Sequence, residues 1–149
     1  MDAGWVARSG LVAATAIWAV AFVGCDGDGG TIGVELQEFA VVPDENSAEA
    51  GEVTFELENT GEETHEFVVI KTDLGATELP TAEDGSVDEE GSGMEVIDEV
   101  EDIPAGESEE LTLDLDAGSY ALICNIVEEE EGEPEAHYAE GMRADFTVE

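Results

Sequence analysis

The sequence predicts an all-β protein folded as a β-sandwich with one exposed face on each sheet, and three observations support this. Apolar and polar residues alternate with a period of two in several stretches between residues 31 and 149, as in half-buried strands. Gly, Asn, Asp and Ala-Gly signals between the stretches indicate turns. Hydrophobic residues make up 42% of the chain, which is enough to bury a core between two sheets.

The alternating stretches define the expected strands in chain order. The first changes phase between Leu36 and Phe39, which indicates a β-bulge near residues 37–38. Later strands are expected at residues 53–58, 66–70, 111–116, 120–124 and 144–148. Residues 72–95 are rich in Gly, Asp, Glu and Ser, so we expect a long excursion there, with one short helical turn around Leu79 to Asp84.

The charge of the chain excludes two classes of partner. Forty acidic residues face three basic ones, and the net charge is -37. A surface of this sign repels nucleic acid and anionic lipid headgroups, so we expect neither as a partner. Acidic residues spread over the whole chain are typical of proteins from salt-loving organisms, and an ordinary acidic extracellular protein is the alternative.

The N-terminal segment resembles a lipoprotein signal. Residues 11–23 form an apolar run of thirteen, which is too short to span a membrane and suits a signal peptide. Gly24 and Cys25 follow, so we expect lipidation of Cys25 after removal of residues 1–24, a flexible tether over 25–30 and one domain over 31–149. Plain cleavage near Gly24 and an uncleaved anchor are the alternatives, and each places the domain outside the cytoplasm.

Four residues form a candidate metal-binding set. If Cys25 carries lipid, Cys124 is the one free thiol in an oxidising compartment, and the chain has only two histidines, His65 and His137. Met142 lies five residues after His137. Two His, one Cys and a weak axial Met are the ligands of a blue copper electron-transfer centre.

Each of these residues also has an ordinary structural interpretation. Cys124 could be an inert core thiol or could form a disulfide with Cys25. His65 could serve a turn, and Met142 could be a core residue. Zinc is a further possible metal, since it takes Cys and His but gains little from a thioether.

The segments around these residues resemble those of the cupredoxins, the blue copper family that includes plastocyanin-, azurin- and halocyanin-like proteins. The similar segments are Thr64-His65-Glu66-Phe67-Val68-Val69, Ala121-Leu122-Ile123-Cys124-Asn125-Ile126, His137-Tyr138-Ala139-Glu140-Gly141-Met142 and Phe146-Thr147-Val148. The resemblance implies a Greek-key β-sandwich with one copper ion. It assigns the imidazoles to His65 and His137, the thiolate to Cys124 and the axial thioether to Met142.

One feature departs from the family pattern. Twelve residues, Asn125 to Ala136, separate Cys124 from His137, where cupredoxins usually have only a few. Closing a loop twice as long costs only about 0.6 kcal/mol more, so His137 can still reach the metal. The rim around the site is therefore the part of the domain expected to differ from the family pattern.

The copper centre predicts a one-electron carrier, and together with the N-terminal signal we expect a monomer that is lipid-anchored at the outer face of the cell membrane. Its partners would be membrane or extracytoplasmic redox proteins, and His137, on a loop, is expected to be the exit route nearest to solvent. Catalysis is not expected, because protein ligands fill the site and there is no third histidine. The alternatives are copper handling, as a chaperone or buffer, and a non-redox sensor or interaction module.

The acidic composition predicts that the stability of the fold increases with salt concentration. At about 1 M salt the Debye length is roughly 3 Å, so repulsion between carboxylates is largely screened. The melting temperature should therefore rise between low and molar NaCl, as measured by circular dichroism. A melting temperature that does not rise with salt would exclude adaptation to high salt.

Overall fold

The computed structural model describes residues 28–149, which form two β-sheets packed face to face. The first sheet contains, in spatial order, β2 (Ala40–Pro43), β1 (Asp28–Gln37), β4 (Gly51–Asn59) and β7 (Ser108–Leu115). The second contains β3 (Ser47–Ala48), β11 (Arg143–Val148), β8 (Gly118–Ile123), β5 (His65–Thr72) and β6 (Met94–Ile103). The predicted Greek-key β-sandwich is confirmed.

Two small elements complete the described part of the chain. A separate hairpin pairs β9 (Val127–Glu130) with β10 (Glu133–Ala136). A single helical turn, α1 (His137–Glu140), follows β10 directly. Within residues 28–149 there is no helix with the length and apolar character that a membrane span requires.

The core lies between the sheets and is centred on three phenylalanines. Phe55 of the first sheet lies 5.2 Å from Phe67 and 5.5 Å from Phe146 of the second sheet, measured between ring centroids. All three are fully buried or nearly so. Along β4 the apolar residues point inward and the glutamates outward, as the alternation predicts.

The phase change near residue 37 is a hairpin turn, so the predicted bulge is wrong. β1 and β2 are antiparallel, with Gln37 opposite Ala40 and Leu36 opposite Val41. Directly opposed residues lie on the same face, which explains why Leu36 and Val41 both enter the core.

The first strand begins earlier than expected. β1 also pairs in parallel with β4, and this pairing begins at Asp28. Residues 28–30, assigned above to the tether, therefore belong to β1. The rest of the predicted tether, the signal peptide and Cys25 lie outside the described residues.

The central strands of the second sheet are covered on both faces, so the expectation of one exposed face on each sheet is wrong at this place, although the outer strands β6 and β11 keep exposed residues. Strands β5 and β8 are apolar on both sides, and residues 72–95 cover the outer side. Ala76, Leu79 and Val87 of this excursion pack in a second apolar cluster with Ile70 and Ile123. The excursion has sequence features of a loop, yet it contributes a small core of its own.

The helical turn expected around Leu79 to Asp84 is also wrong. The backbone is irregular here, with a turn at residues 83–84 and a β-bridge between Thr81 and Val87. Pro80 disfavours helical backbone at the preceding Leu79, which accounts for the difference.

The sequence patterns above did not reveal β6. It lies at the edge of the second sheet beside β5, and half of its ten residues are acidic. Two register shifts against β5, next to His65 and between Val69 and Ile70, break its alternation. A strand without a clean period of two has no clear signature in the sequence.

The turn before β5 is held by the buried Asn59. Its Nδ2 donates to the carbonyl oxygens of Glu63, at 2.7 Å, and Ile103, at 2.8 Å. Its Oδ1 accepts from the backbone N–H of Gly61 at 3.0 Å. The side chain therefore fixes residues 60–64, which lead into His65.

Asn59→Ala should destabilise the fold by about 3 kcal/mol, because the substitution leaves buried backbone groups without partners. Thr112→Val is the comparison, since it removes a hydrogen bond to Thr54 that is exposed, and should cost less than about 1 kcal/mol. Chemical denaturation of both variants measures the difference. Equal losses would contradict the role of Asn59.

Candidate metal centre

Three buried donor atoms meet at one end of the second sheet. His65 is the first residue of β5, Cys124 directly follows β8, and His137 is the first residue of α1. The two Nδ1 atoms are 3.3 Å apart, and Cys124 Sγ is 3.5 Å from Nδ1 of His137. All three side chains are 0% exposed.

Strand pairing brings the first two donors together. β5 and β8 are antiparallel neighbours, with Val68 opposite Ile123, so the start of β5 lies beside the end of β8. The backbone N–H of Glu66 then points at Cys124 Sγ, 3.4 Å away. The cysteine is thus held against the sheet by its own strand and by its neighbour.

The twelve-residue insertion does not carry His137 away, because it folds back on itself. Its residues form the hairpin of β9 and β10, in which Ala136 lies opposite Val127. The N–H of His137 donates to the carbonyl oxygen of Ile126 at 2.9 Å. The two ends of the insertion therefore meet whatever its length. His137 lies beside Ile126, which is only two positions after Cys124 in the chain.

Met142 is connected to Cys124 and to His137 through backbone hydrogen bonds. Its N–H donates to the carbonyl oxygen of His137 at 3.0 Å, and its own carbonyl accepts from the N–H of Cys124 at 3.1 Å. The side chain is fully buried in the same apolar cluster as Cys124. Gly141 allows this turn: its φ is 135°, and a Cβ there would lie 2.9 Å from the carbonyl oxygen of Phe39.

The spacing and chemistry of the three donors fit a type 1 copper site. With metal–nitrogen bonds of about 2.0–2.1 Å and a metal–sulfur bond of about 2.3 Å, angles between tetrahedral and trigonal put two nitrogens about 3.3–3.6 Å apart and a nitrogen and a sulfur about 3.5–3.8 Å apart. The separations of 3.3 and 3.5 Å are close to these ranges. One thiolate and two imidazoles are the trigonal donors of blue copper centres.

Burial sets the protonation of two of the donors, His65 and Cys124. Burial, together with the nearby His137, lowers the pKa of His65, so that its imidazole is neutral at physiological pH. Burial raises the pKa of the Cys124 thiol to about 11, although the N–H groups of Glu66 and Ile126 act in the opposite direction. A metal ion binding here must therefore displace the thiol proton.

Glu38 orients His65, and the sequence analysis missed it. Its Oε1 lies 2.9 Å from Nε2 of His65, and the carboxylate accepts from the N–H groups of Glu62 and Glu63 at 2.9–3.1 Å. The bond assigns the imidazole proton to Nε2 and leaves the Nδ1 lone pair for a metal. Nothing in the sequence distinguishes Glu38 from the other acidic residues.

His137 is not the most accessible donor, contrary to expectation. It is as fully buried as His65. The half-buried Phe39 packs edge-on against its ring at 5.4 Å between centroids, and Oε2 of Glu63 lies 3.5 Å from its Nε2. Glu63, too, was not singled out from the sequence.

Known structures share this architecture. The sequence matches no protein-family model, and no curated protein is significantly similar to it. Among solved structures, dithionite-reduced auracyanin from Roseiflexus castenholzii is 21% identical, with a TM-score of 0.55 over 81% of this chain and 97% of that one. Auracyanin A from Chloroflexus aurantiacus, a "blue" copper protein, is 22% identical, with a TM-score of 0.51 over 81% and 100%.

Rusticyanin in its reduced form is also similar in structure. It is 19% identical to this chain, with a TM-score of 0.52 over 81% of this chain and 80% of that one. The chain therefore has the fold of these proteins, the cupredoxin fold expected from the resemblance.

Glu38→Gln should lower stability at pH 7 by about 1–3 kcal/mol, because the charged acceptor of three donors is lost. Burial alone would raise the pKa of Glu38, but hydrogen bonds from Glu63 and Glu62 and the nearby His65 lower it overall. Its contribution is thus present above pH 4.5, the value of the unfolded chain, and is lost as the pH falls through the lower folded pKa. The difference in stability between the wild type and Glu38→Gln should therefore disappear at acid pH.

Denaturation midpoints of both proteins between pH 3 and pH 7 provide the measurement for this prediction. Glu35→Gln, a change of equal charge at an exposed position of β1, is the control and should show no such difference. A constant difference across the whole range would rule out the charged form of Glu38 as its origin.

Proposed function

We propose that this chain is a type 1 copper protein that carries single electrons. The observation that supports this most directly is the fully buried group of His65, Cys124 and His137, with donor separations suited to one ion. The same fold occurs in auracyanin A, which is a blue copper protein, and both auracyanin and rusticyanin exist in reduced forms.

The donors suit both oxidation states of copper, which would exchange one electron at this site. The thiolate of Cys124 and the thioether of Met142 are soft and favour Cu(I), whereas the imidazoles of His65 and His137 suit Cu(II). Met142 would be the axial ligand. Strand pairing and the buried core hold these residues in place, so they need to move little on oxidation or reduction.

The proposal excludes catalysis by this chain alone. Four protein ligands leave no open position for a substrate, and a catalytic metal site normally keeps one open. The two histidines are both used in this centre. Oxidation of a substrate would require a further metal cluster with its own histidines.

The location and partners belong to the same proposal. The apolar run at 11–23 followed by Cys25 favours a lipid anchor at the outer face of the cell membrane, with residues 28–149 outside. A short tether would keep a monomer close to membrane redox proteins. Delivery of copper to an acceptor is the competing function for the same ligands.

Titration of the full chain with Cu(II), followed by visible absorption and electron spin resonance, tests the proposal. We expect one equivalent, an intense thiolate-to-copper band and a narrow hyperfine splitting. Cys124→Ser should abolish the intense band, because hydroxyl oxygen cannot replace the thiolate. A colourless or pale product from the wild-type chain would refute a type 1 site.

Two methionine variants separate the axial role from simple packing. Met142→Leu should keep the band and shift the midpoint potential, since the axial ligand tunes it. Met94→Leu, the same change at the half-buried start of β6, should leave the potential unchanged. Rapid transfer of Cu(I) from the loaded chain to a competing chelator would instead favour copper delivery.

A further inference from the structure

A second group of donors lies on the other side of His137. Carboxylate oxygens of Glu63 and Glu128 and a ring nitrogen of His137 all lie within 4.8 Å of one another. Glu63 comes from the turn before β5, and Glu128 from β9 of the inserted hairpin. The group therefore exists because the insertion folds over the metal centre.

Two atoms of this group are buried and lack hydrogen bonds. Within residues 28–149, neither Nε2 of His137 nor Oε2 of Glu63 has a hydrogen-bond partner, although His137 is 0% exposed. An unpaired buried polar atom costs about 1–3 kcal/mol, so a missing partner is expected. The ring nitrogen points toward Glu63, away from the first centre, because Nδ1 faces Cys124 and His65.

The separation of these atoms suits two ligands of one ion better than a hydrogen bond. Nε2 of His137 and Oε2 of Glu63 are 3.5 Å apart, beyond the usual N–H···O range. Two ligands of a tetrahedral zinc ion, at about 2.0–2.2 Å from the metal, lie about 3.4 Å apart. The observed spacing is close to this value.

The surroundings favour a cation strongly. Burial raises the pKa of Glu63, and the charges of Glu128, Glu38 and Glu130 raise it further, against the opposing effect of His137. The adjoining surface depression is lined by Glu38, Phe39, Glu62, Glu63, Glu130 and Glu135. A divalent ion would relieve this repulsion between carboxylates.

We propose that Glu63, Glu128 and Nε2 of His137 bind a second divalent cation of the zinc type. Imidazole and carboxylate are both ligands that zinc accepts, and water would complete the coordination. The ring of His137 would then bridge two metals, with Nδ1 toward the first and Nε2 toward the second. When Nδ1 holds the first metal, the ring proton is on Nε2, and binding of the second cation would release that proton to solvent.

The test is a zinc titration of the copper-loaded full chain at molar NaCl, which suppresses loose binding to the acidic surface. Equilibrium dialysis should show one further equivalent of zinc per chain. The copper resonance should change with zinc, because His137 is shared. Glu63→Gln and Glu128→Gln should each weaken this zinc binding at least about 10-fold.

Glu129→Gln is the matched control, since it removes the same charge from the neighbouring position of β9, which faces the opposite side of the strand. It should bind zinc as the wild type does. Circular dichroism of each variant verifies that the fold is retained. The proposal is overturned if the copper-loaded chain takes up no further zinc, or if Glu63→Gln and Glu128→Gln bind it as tightly as Glu129→Gln.

A Cys124→Ala chain separates this proposal from the copper function, because that variant lacks the thiolate that a blue copper centre requires. It should still bind one zinc, and the binding should weaken when Glu128→Gln is added. If the wild type forms no blue centre while this zinc site persists, the copper proposal fails alone. If zinc binding to Cys124→Ala is unaffected by Glu128→Gln, the second site fails.

Discussion

The antiparallel pairing of β5 with β8 is the constraint on which the rest of the structure depends. It places the beginning of one strand beside the end of the other, and so brings His65 to Cys124. Both strands are apolar on both faces, which keeps them between the main core and the cluster formed by residues 72–95. A pair of strands that is buried on both faces has little freedom to shift. His65 and Cys124, at the ends of these strands, are therefore held in fixed positions.

Burial keeps two of the donor side chains in their neutral forms when no metal ion is bound. In the metal-free chain the thiol of Cys124 stays protonated and His65 stays neutral, because the interior disfavours charge. Glu38 leaves Nδ1 of His65 free for a metal, whereas the thiol of Cys124 must still lose its proton when a metal binds. Packing in the surrounding core therefore holds the donor atoms in positions that suit a bound cation.

The inserted hairpin changes the rim of the centre more than the centre itself. Its two strands close on each other, so His137 returns to the position that a short loop would also reach. The insertion adds acidic side chains near His137, because Glu128 and Glu130 lie close to Glu63 in the turn before β5. The surface near His137 is therefore carboxylate-rich, which affects both the ions and the partner proteins that can approach it.

The sequence by itself determined the sandwich, most of its strands and the three donors, because the alternation, a Cys at the end of a predicted strand and two histidines are signals that the sequence carries locally. Met142 was predicted as the axial ligand from its spacing from His137; the structure places it, fully buried, in the same core cluster as Cys124, and its role as a ligand stays a prediction. Only the tertiary structure decided the hairpin after β1, the edge strand β6 and the cover formed by residues 72–95, since their patterns depend on neighbours distant in the chain. The same holds for Glu38, Glu63 and Glu128: forty acidic residues look alike in sequence, and only folding selects the three that face a histidine.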